Sequence, residues 1–322
     1  MNITLSAALC AVIAFVISAV LGPILIPILK KLKFGQQILE IGPNWHQSKN
    51  GTPTMGGFIF IAAVFTTGII FIRDLRGVLT LIFALLCGGI GFLDDYIKVV
   101  KKRNKGLSPM GKIILMLIVT ITFSAVGMAT NLIGTSLLIP FTQIQIDISY
   151  FMLPLLVFIM IGFINSVNLT DGIDGLASSV TFIVTLFFTL ISMVGGYSGL
   201  SCFSASISGG LCGFMIYNLH PAKVFMGDTG SLFLGGAVVA LAVLNNMPLM
   251  LIIIGIIYLI EAASVMLQVG YFKLTKGKRL FKMAPIHHHF EMSGIKENGI
   301  VILFSFITFI ACLLSFLYFM QN

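Results

Sequence analysis

The sequence predicts an all-α, polytopic membrane protein. About ten transmembrane helices form a single integral membrane domain over residues 1–322, with both termini outside and the functional site at the cytoplasmic face. Three observations carry that prediction. The chain is 58% hydrophobic and 9% charged with a mean hydropathy of +1.07, more apolar surface than a water-soluble chain of 322 residues can cover. Its apolar runs are about 18–25 residues long, enough for a helix to cross a hydrocarbon core of about 30 Å and too long for the alternating strands of a membrane barrel. With ten spans, one set of connections holds 17 of the 19 Lys and Arg and the other only Arg73 and Arg76, which places the first set in the cytoplasm.

The first span, 3–29, has no basic side chain ahead of it and is followed by Lys30, Lys31 and Lys33, so it reads as a retained helix and not a cleavable signal. The second, 55–72, follows KNGTPTMGG at 49–57; the third, 77–93, runs into GFLDDYIK; the fourth covers 113–130. The outer loop 131–150 carries the alternating string QIQIDIS after Pro140 and is expected to form a small hairpin. Spans five and six, 151–168 and 176–194, meet at NSVNLTDGIDGLA, residues 165–177. Span seven, 200–218, is joined through AKVFMGDTGSLFLGG to the short, glycine-bearing eighth, 231–244. The tetrapeptide NNMP at 245–248 separates it from the ninth, 249–270, and MAPIHHHFE precedes the tenth, 299–319. Cys10, Cys87, Cys202, Cys212 and Cys312 all fall in apolar spans without CxxC spacing and read as small buried hydrophobes. Orientation beside an anionic leaflet accounts for the net charge of +8, so no nucleic-acid partner is expected.

The cytoplasmic connections hold every histidine and eight of the eleven acids, the exceptions being Asp74, Asp147 and Glu261. Asp94 and Asp95 fall at the C-terminal end of the third span, where the helix dipole is already negative, so a cation must compensate them. Lys98, three and four residues on, supplies part of that charge if the helix continues, and a solvated ion pair is the plain alternative. In NLTDGIDGLA, Asp171 and Asp174 each precede a glycine, a pattern suited to a ligand-cradling turn or, more plainly, to helix capping; the EF-hand spacing is absent. In MGDTGS, Gly227 and Asp228 open a helix whose positive end suits an anion. Carboxylates at one helix end and anion-binding helix starts at two others fit a magnesium-bound diphosphate, because Mg²⁺ takes one or two carboxylates together with substrate phosphates. His287, His288 and His289 cannot share one helical face, so they do not make a zinc site by themselves. Glu261, near the middle of the ninth span, must face the protein interior in a structural role.

The strings LDDYIK, NLTDGIDGLA, FMGDTGS and PIHHHFE, in this order between spans and preceded by KNGTPTMGG, closely resemble those of the phospho-N-acetylmuramoyl-pentapeptide-transferases, of the polyprenyl-phosphate N-acetylhexosamine-1-phosphate transferase superfamily. The resemblance covers nearly the whole chain. It implies a Mg²⁺-dependent, homodimeric bacterial membrane enzyme that joins UDP-N-acetylmuramoyl-pentapeptide to undecaprenyl phosphate. It matches Asp94, Asp95 and Asp228 to the essential acids, with Asp228 the metal ligand. Asn168, Asp171, Phe225 and Gly227 match positions around the uridine and phosphates, and Lys49, Thr54, Asn218, His287, His288 and His289 match further substrate contacts. It also implies a bend or break in the ninth span. Lys49, Lys98 and Lys112 are candidates to screen repulsion between two anionic substrates, and Asp174 joins the acids facing them. Two other readings stay open: a sister transferase of N-acetylglucosamine-1-phosphate, against which the triple histidine argues, and an anion transporter, whose acids belong nearer the bilayer midplane.

Overall fold

The computed structural model describes residues 2–31, 51–100 and 106–321. Its long helices are α1 (Ile3–Lys31), α2 (Gly57–Phe71), α3 (Leu75–Val100), α4 (Pro109–Ala129), α5 (Met152–Thr170), α6 (Leu176–Val194), α7 (Ser198–Asn218) and α8 (Gly227–Leu244). A one-turn α9 (Leu251–Ile254), α10 (Ile256–Leu274), the short α11 (Ile286–Glu291) and α12 (Glu297–Gln321) complete the helices. Strands β1 (Ser136–Leu138) and β2 (Gln145–Asp147) form the expected hairpin, with Leu137 paired to Ile146.

Among the described residues, nine helices are long and apolar enough to cross a bilayer, and α2 is shorter at 15 residues. Yet α2 spans the bundle. Its first residue, Gly57, lies against Gly230 at the start of α8, while beyond its far end Ile72 meets Gly77, itself packed on Gly199 at the start of α7. Among the described residues, ten apolar helices therefore run between the two ends. α1 runs alongside α7 in the same direction, Ala11 against Gly209 and Tyr217 against Gly22, and Phe141 of the hairpin loop meets Tyr318 of α12 edge to face. The N-terminal end of α1 and the C-terminal end of α12 consequently lie at the end away from Asp94, Asp95 and Asp228. Arg73 and Arg76 share that far end, Arg76 bonding the Leu244 carbonyl at the close of α8, whereas Lys98 and Lys112 lie at the acid end.

Lipid is as apolar as leucine, so helices in a membrane associate through close packing of small residues and through buried hydrogen bonds. Both occur here. Every residue of α8 from Thr229 to Leu244 is buried, enclosed by α2, α3, α5, α6 and α7. A Cβ on Gly91 of α3 would strike the Asp228 carbonyl, and one on Gly57 would strike the Gly230 backbone, so glycine sets how closely the start of α8 is approached. Hydroxyl pairs join neighbouring helices: Thr67 to Ser206 at 2.8 Å, Thr185 to Ser208 at 2.9 Å and Thr189 to Ser204 at 3.0 Å. Outward faces carry exposed apolar side chains such as Ile118 on α4 and Ile302 on α12, suited to hydrocarbon.

Two expectations need correction. Cys212 is exposed, on the outward side of α7, while the other four cysteines are buried. The second concerns Glu261: the ninth span is interrupted at Gly255, between α9 and α10, as the resemblance implied, and Gly255 packs against Phe163 in the second half of α5. Glu261, less than two turns further on, therefore stands level with the end of α5 at the acid end and not at the middle of the bundle.

Candidate active site

Four helix ends build the site: the C-terminal ends of α3 and α5 and the N-terminal ends of α4 and α8. α3 continues past its aspartates to Val100, so Lys98 falls on their side of the helix, at i+4 from Asp94 and i+3 from Asp95. The Lys98 ammonium lies 2.6 Å from Asp94 Oδ2, 2.9 Å from Asp228 Oδ2 and 3.8 Å from Asp95 Oδ1. Lys112, one turn into α4, reaches the same Asp228 oxygen at 3.1 Å, and Asn168 near the end of α5 donates to the other at 2.9 Å. Asn168 also donates to Ser231 one turn along α8, which ties α5 to α8.

The three aspartates have different duties. Asp95, nearly fully buried, accepts both the backbone N–H and the hydroxyl of Thr229, at 2.9 and 2.8 Å. It is a carboxylate from α3 capping the start of α8, where the helix dipole favours negative charge. The α8 N-terminus, expected to serve an anionic ligand, thus gives one of its N–H groups to this internal anchor. Asp94 accepts the Leu107 N–H at 2.8 Å, which holds the start of the segment leading to α4 close over the site. Asp228 is held by side chains, two lysines and an amide, and is a fifth exposed.

The segment 53–57 and the approach to α8 pair through backbone: Phe225 N–H to the Pro53 carbonyl, Gly56 N–H to Phe225 and Gly57 N–H to Met226. Gly227 follows with φ +71°, a conformation open to glycine, and a Cβ there would meet both Asp95 Oδ2 and Thr54 Oγ1. Thr54, Phe225 and Gly227 therefore border the aspartates. Asp171, just past α5, faces the same cluster: burial first, then the charges of Asp228, Asp95 and Asp174, hold its carboxyl well above the usual range.

The remaining predicted residues lie elsewhere. Asp174 is buried and joined to His220 at 3.0 Å, with its Oδ2 also accepting the Ala222 N–H and its own N–H reaching Glu297. It clamps three segments in a second cluster. Asn218 is buried beneath the 219–226 loop, accepting from Ser178 and donating to the Val224 carbonyl. His287 is fully buried, its Nδ1 3.0 Å from Glu261 Oε2. His288 bonds Glu291 at 2.6 Å, and His289 accepts the Lys282 N–H. Lys49 lies outside the described residues. Sequence reasoning missed Thr229, whose place in MGDTGS was its only signal, and the pairing of Asp174 with His220 and Glu297, which have no local pattern.

Oxygen atoms of Asp94, Asp95 and Asp228 all lie within 4.8 Å of one another. They are hard donors focused on a point that a lysine ammonium already approaches, and this donor set suits a hard divalent cation such as Mg²⁺.

A membrane bundle with carboxylates, lysines and an amide gathered at one end is the setting of a transferase acting on charged substrates at an interface. The family model for glycosyl transferase family 4 matches residues 77–246, which take in α4 to α8, most of α3 and all three aspartates. The phospho-N-acetylmuramoyl-pentapeptide-transferase of Caldanaerobacter subterraneus subsp. tengcongensis is 49% identical over 289 residues, 89% of this chain and 90% of that protein. Those of Acetivibrio thermocellus, 49% over 292 residues (89% and 88%), and Clostridium perfringens strain 13, 50% over 290 residues (89% and 90%), bear the same name. The chain belongs to the phospho-N-acetylmuramoyl-pentapeptide-transferase family and is a multi-pass membrane enzyme.

Proposed function

We propose that this enzyme, in the bacterial cytoplasmic membrane, transfers phospho-N-acetylmuramoyl-pentapeptide from its UDP-activated form to undecaprenyl phosphate, giving the lipid-linked muramoyl-pentapeptide and UMP. The observation that carries the reading is the meeting of Asp94, Asp95 and Asp228 about Lys98, with Lys112 and Asn168 on Asp228. The acid end is the cytoplasmic one by the charge of its connections, where a nucleotide-linked sugar is made and where the lipid phosphate reaches the interface.

Asp228, with Asp94, would hold Mg²⁺, which when bound neutralises diphosphate charge and polarises the phosphorus under attack. Asp95 keeps α8 in place so that Asp228 stays aimed at that point. Lys98 and Lys112 would offset the charge of two anionic substrates beside the carboxylates that would hold the cation. The lipid phosphate, with its second pKa near 6, is mostly dianionic at neutral pH and needs no strong general base. A single direct displacement on the sugar-bearing phosphorus follows, with Asp94 or Asp95 orienting the acceptor. Thr54, Phe225 and Asp171 would border the nucleotide, and His288 and His289 would contact the muramoyl-peptide. The family resemblance further implies a homodimer, which analytical ultracentrifugation in detergent tests.

Acids concentrated at one end of the bundle argue for an interfacial enzyme over a transporter with a midplane site. Purified protein with undecaprenyl phosphate and Mg²⁺ is expected to release UMP from UDP-N-acetylmuramoyl-pentapeptide and not from UDP-N-acetylglucosamine, with EDTA abolishing release. Release from the second substrate alone would make this the sister transferase.

A further inference from the structure

Glu261 is the sole acidic residue of α10, and nothing in the site just described employs it. It is fully buried, as is His287, and the two are joined through Glu261 Oε2 and His287 Nδ1 at 3.0 Å. His287 is the first of the three histidines and lies on α11, 26 residues further along the chain. The opposite edge of its ring, Nε2 and Cε1, rests against Gly172, so closely that a Cβ on Gly172 would overlap both atoms. Among the described residues, His287 Nε2 is buried without a hydrogen-bond partner. Glu261 on α10, His287 on α11 and Gly172 after α5 therefore form one contact line, and the residue before Gly172 is Asp171.

The arrangement has a chemical logic. A carboxylate facing Nδ1 fixes the tautomer with the proton on Nδ1 and leaves Nε2 bare, the orienting relation seen when a carboxylate holds a histidine in a metal site. A bare ring nitrogen can lie against a glycine Cα without burying an unmet donor, whereas an Nε2–H there would be orphaned. We propose that Glu261 is a positioning residue: it holds the His287 ring against Gly172 and thereby sets the turn that presents Asp171 to the aspartate cluster. The inference rests on the proposed function for its kinetic consequence, and its structural half stands independently. It assigns His287 to bracing from behind the turn, which leaves substrate contact to His288 and His289.

The test uses the full-length enzyme in nanodiscs with Glu261→Leu, Glu261→Gln, His287→Asn and the double variant Glu261→Leu/His287→Asn. Glu261→Leu is expected to raise KM for the UDP-sugar about 10- to 100-fold, the usual effect of removing an orienting partner, with KM for undecaprenyl phosphate unchanged. Glu261→Gln keeps an acceptor for Nδ1–H and should lose less. Because Glu261 acts through His287, its loss should add nothing in the His287→Asn background. Independently of turnover, ¹⁵N-histidine spectra should show the Nδ1–H tautomer at His287 in the wild type and Glu261→Gln, and its loss in Glu261→Leu. Full additivity of the two substitutions, or a lowered melting temperature with both KM values and the tautomer unchanged, would overturn the proposal. Should Glu261→Leu not fold, Gly172→Ala displaces the ring from the other side and must produce the same selective rise in KM. A wild type that releases no UMP would instead refute the proposed function, and the tautomer result would still decide the role of Glu261.

Discussion

Asp95→Ala separates anchoring from chemistry at the aspartate cluster. The carboxylate accepts two hydrogen bonds from Thr229, itself almost wholly buried, so the truncation orphans a backbone N–H and a hydroxyl together. Hydrogen bonds to a charged group contribute about 1.5–3 kcal/mol each, which sets a gross loss of about 3–6 kcal/mol. Removing a buried carboxylate beside Asp94 and Asp228 returns part of this by relieving desolvation and repulsion, leaving a net loss of about 2–3 kcal/mol. Asp95→Asn keeps one oxygen toward Thr229 and should lose roughly half as much. The assay is a thermal melt in detergent alongside UMP release: Asp95→Ala should melt well below wild type, Asp95→Asn between them, and both should turn over poorly. An Asp95→Ala protein with wild-type melting and no activity would refute the anchoring argument and make Asp95 a purely chemical group.

The raised pKa of Asp171 fixes the sign of a pH effect. Its folded pKa lies above the unfolded value of about 3.9, so between them the folded chain binds more protons and stability falls as pH rises. In EDTA, Asp171→Asn should match wild type near pH 4 and gain relative melting temperature as pH rises; a difference independent of pH would contradict the reading. Gly91→Ala pushes a methyl into the Asp228 carbonyl and should cut kcat by about 100-fold through misplacement of the aspartate, which steady-state kinetics reads directly; unchanged kcat would show that α8 can shift freely. For orientation, cysteines placed at Lys223 and Arg73, both exposed, should react oppositely with an impermeant maleimide added to intact cells: Arg73→Cys labels and Lys223→Cys does not until lysis.

Much of this was legible in the chain because hydropathy and charge act locally. Apolar runs gave the helices, and Lys98 followed from Asp94 by helical spacing; the asymmetry of lysine and arginine assigned a direction that the cysteine labelling tests. The short α2 was legible as a crossing because its flanks, Thr54 and Arg73, lie where a membrane helix must end. Long-range relations were not legible. Asp174 looked equivalent to Asp171, both followed by glycine, yet the turn sends one toward Asp228 and the other toward His220 and Glu297, 46 and 123 residues away along the chain. The depth of Glu261 was misjudged because hydropathy treats 249–270 as one run and cannot see that Gly255 interrupts it. Cys212 was misplaced because an apolar stretch does not say which face meets lipid.

The central claim is that Asp228 and its neighbours bind a divalent cation at the place where the nucleotide is cleaved. Electron paramagnetic resonance of Mn²⁺ titrated into the protein, wild type against Asp228→Asn with UMP present, tests it most directly. The account predicts a saturable bound Mn²⁺ signal in the wild type that Mg²⁺ displaces and that Asp228→Asn lacks while melting near the wild-type temperature. Equal Mn²⁺ binding by a folded Asp228→Asn protein would contradict it.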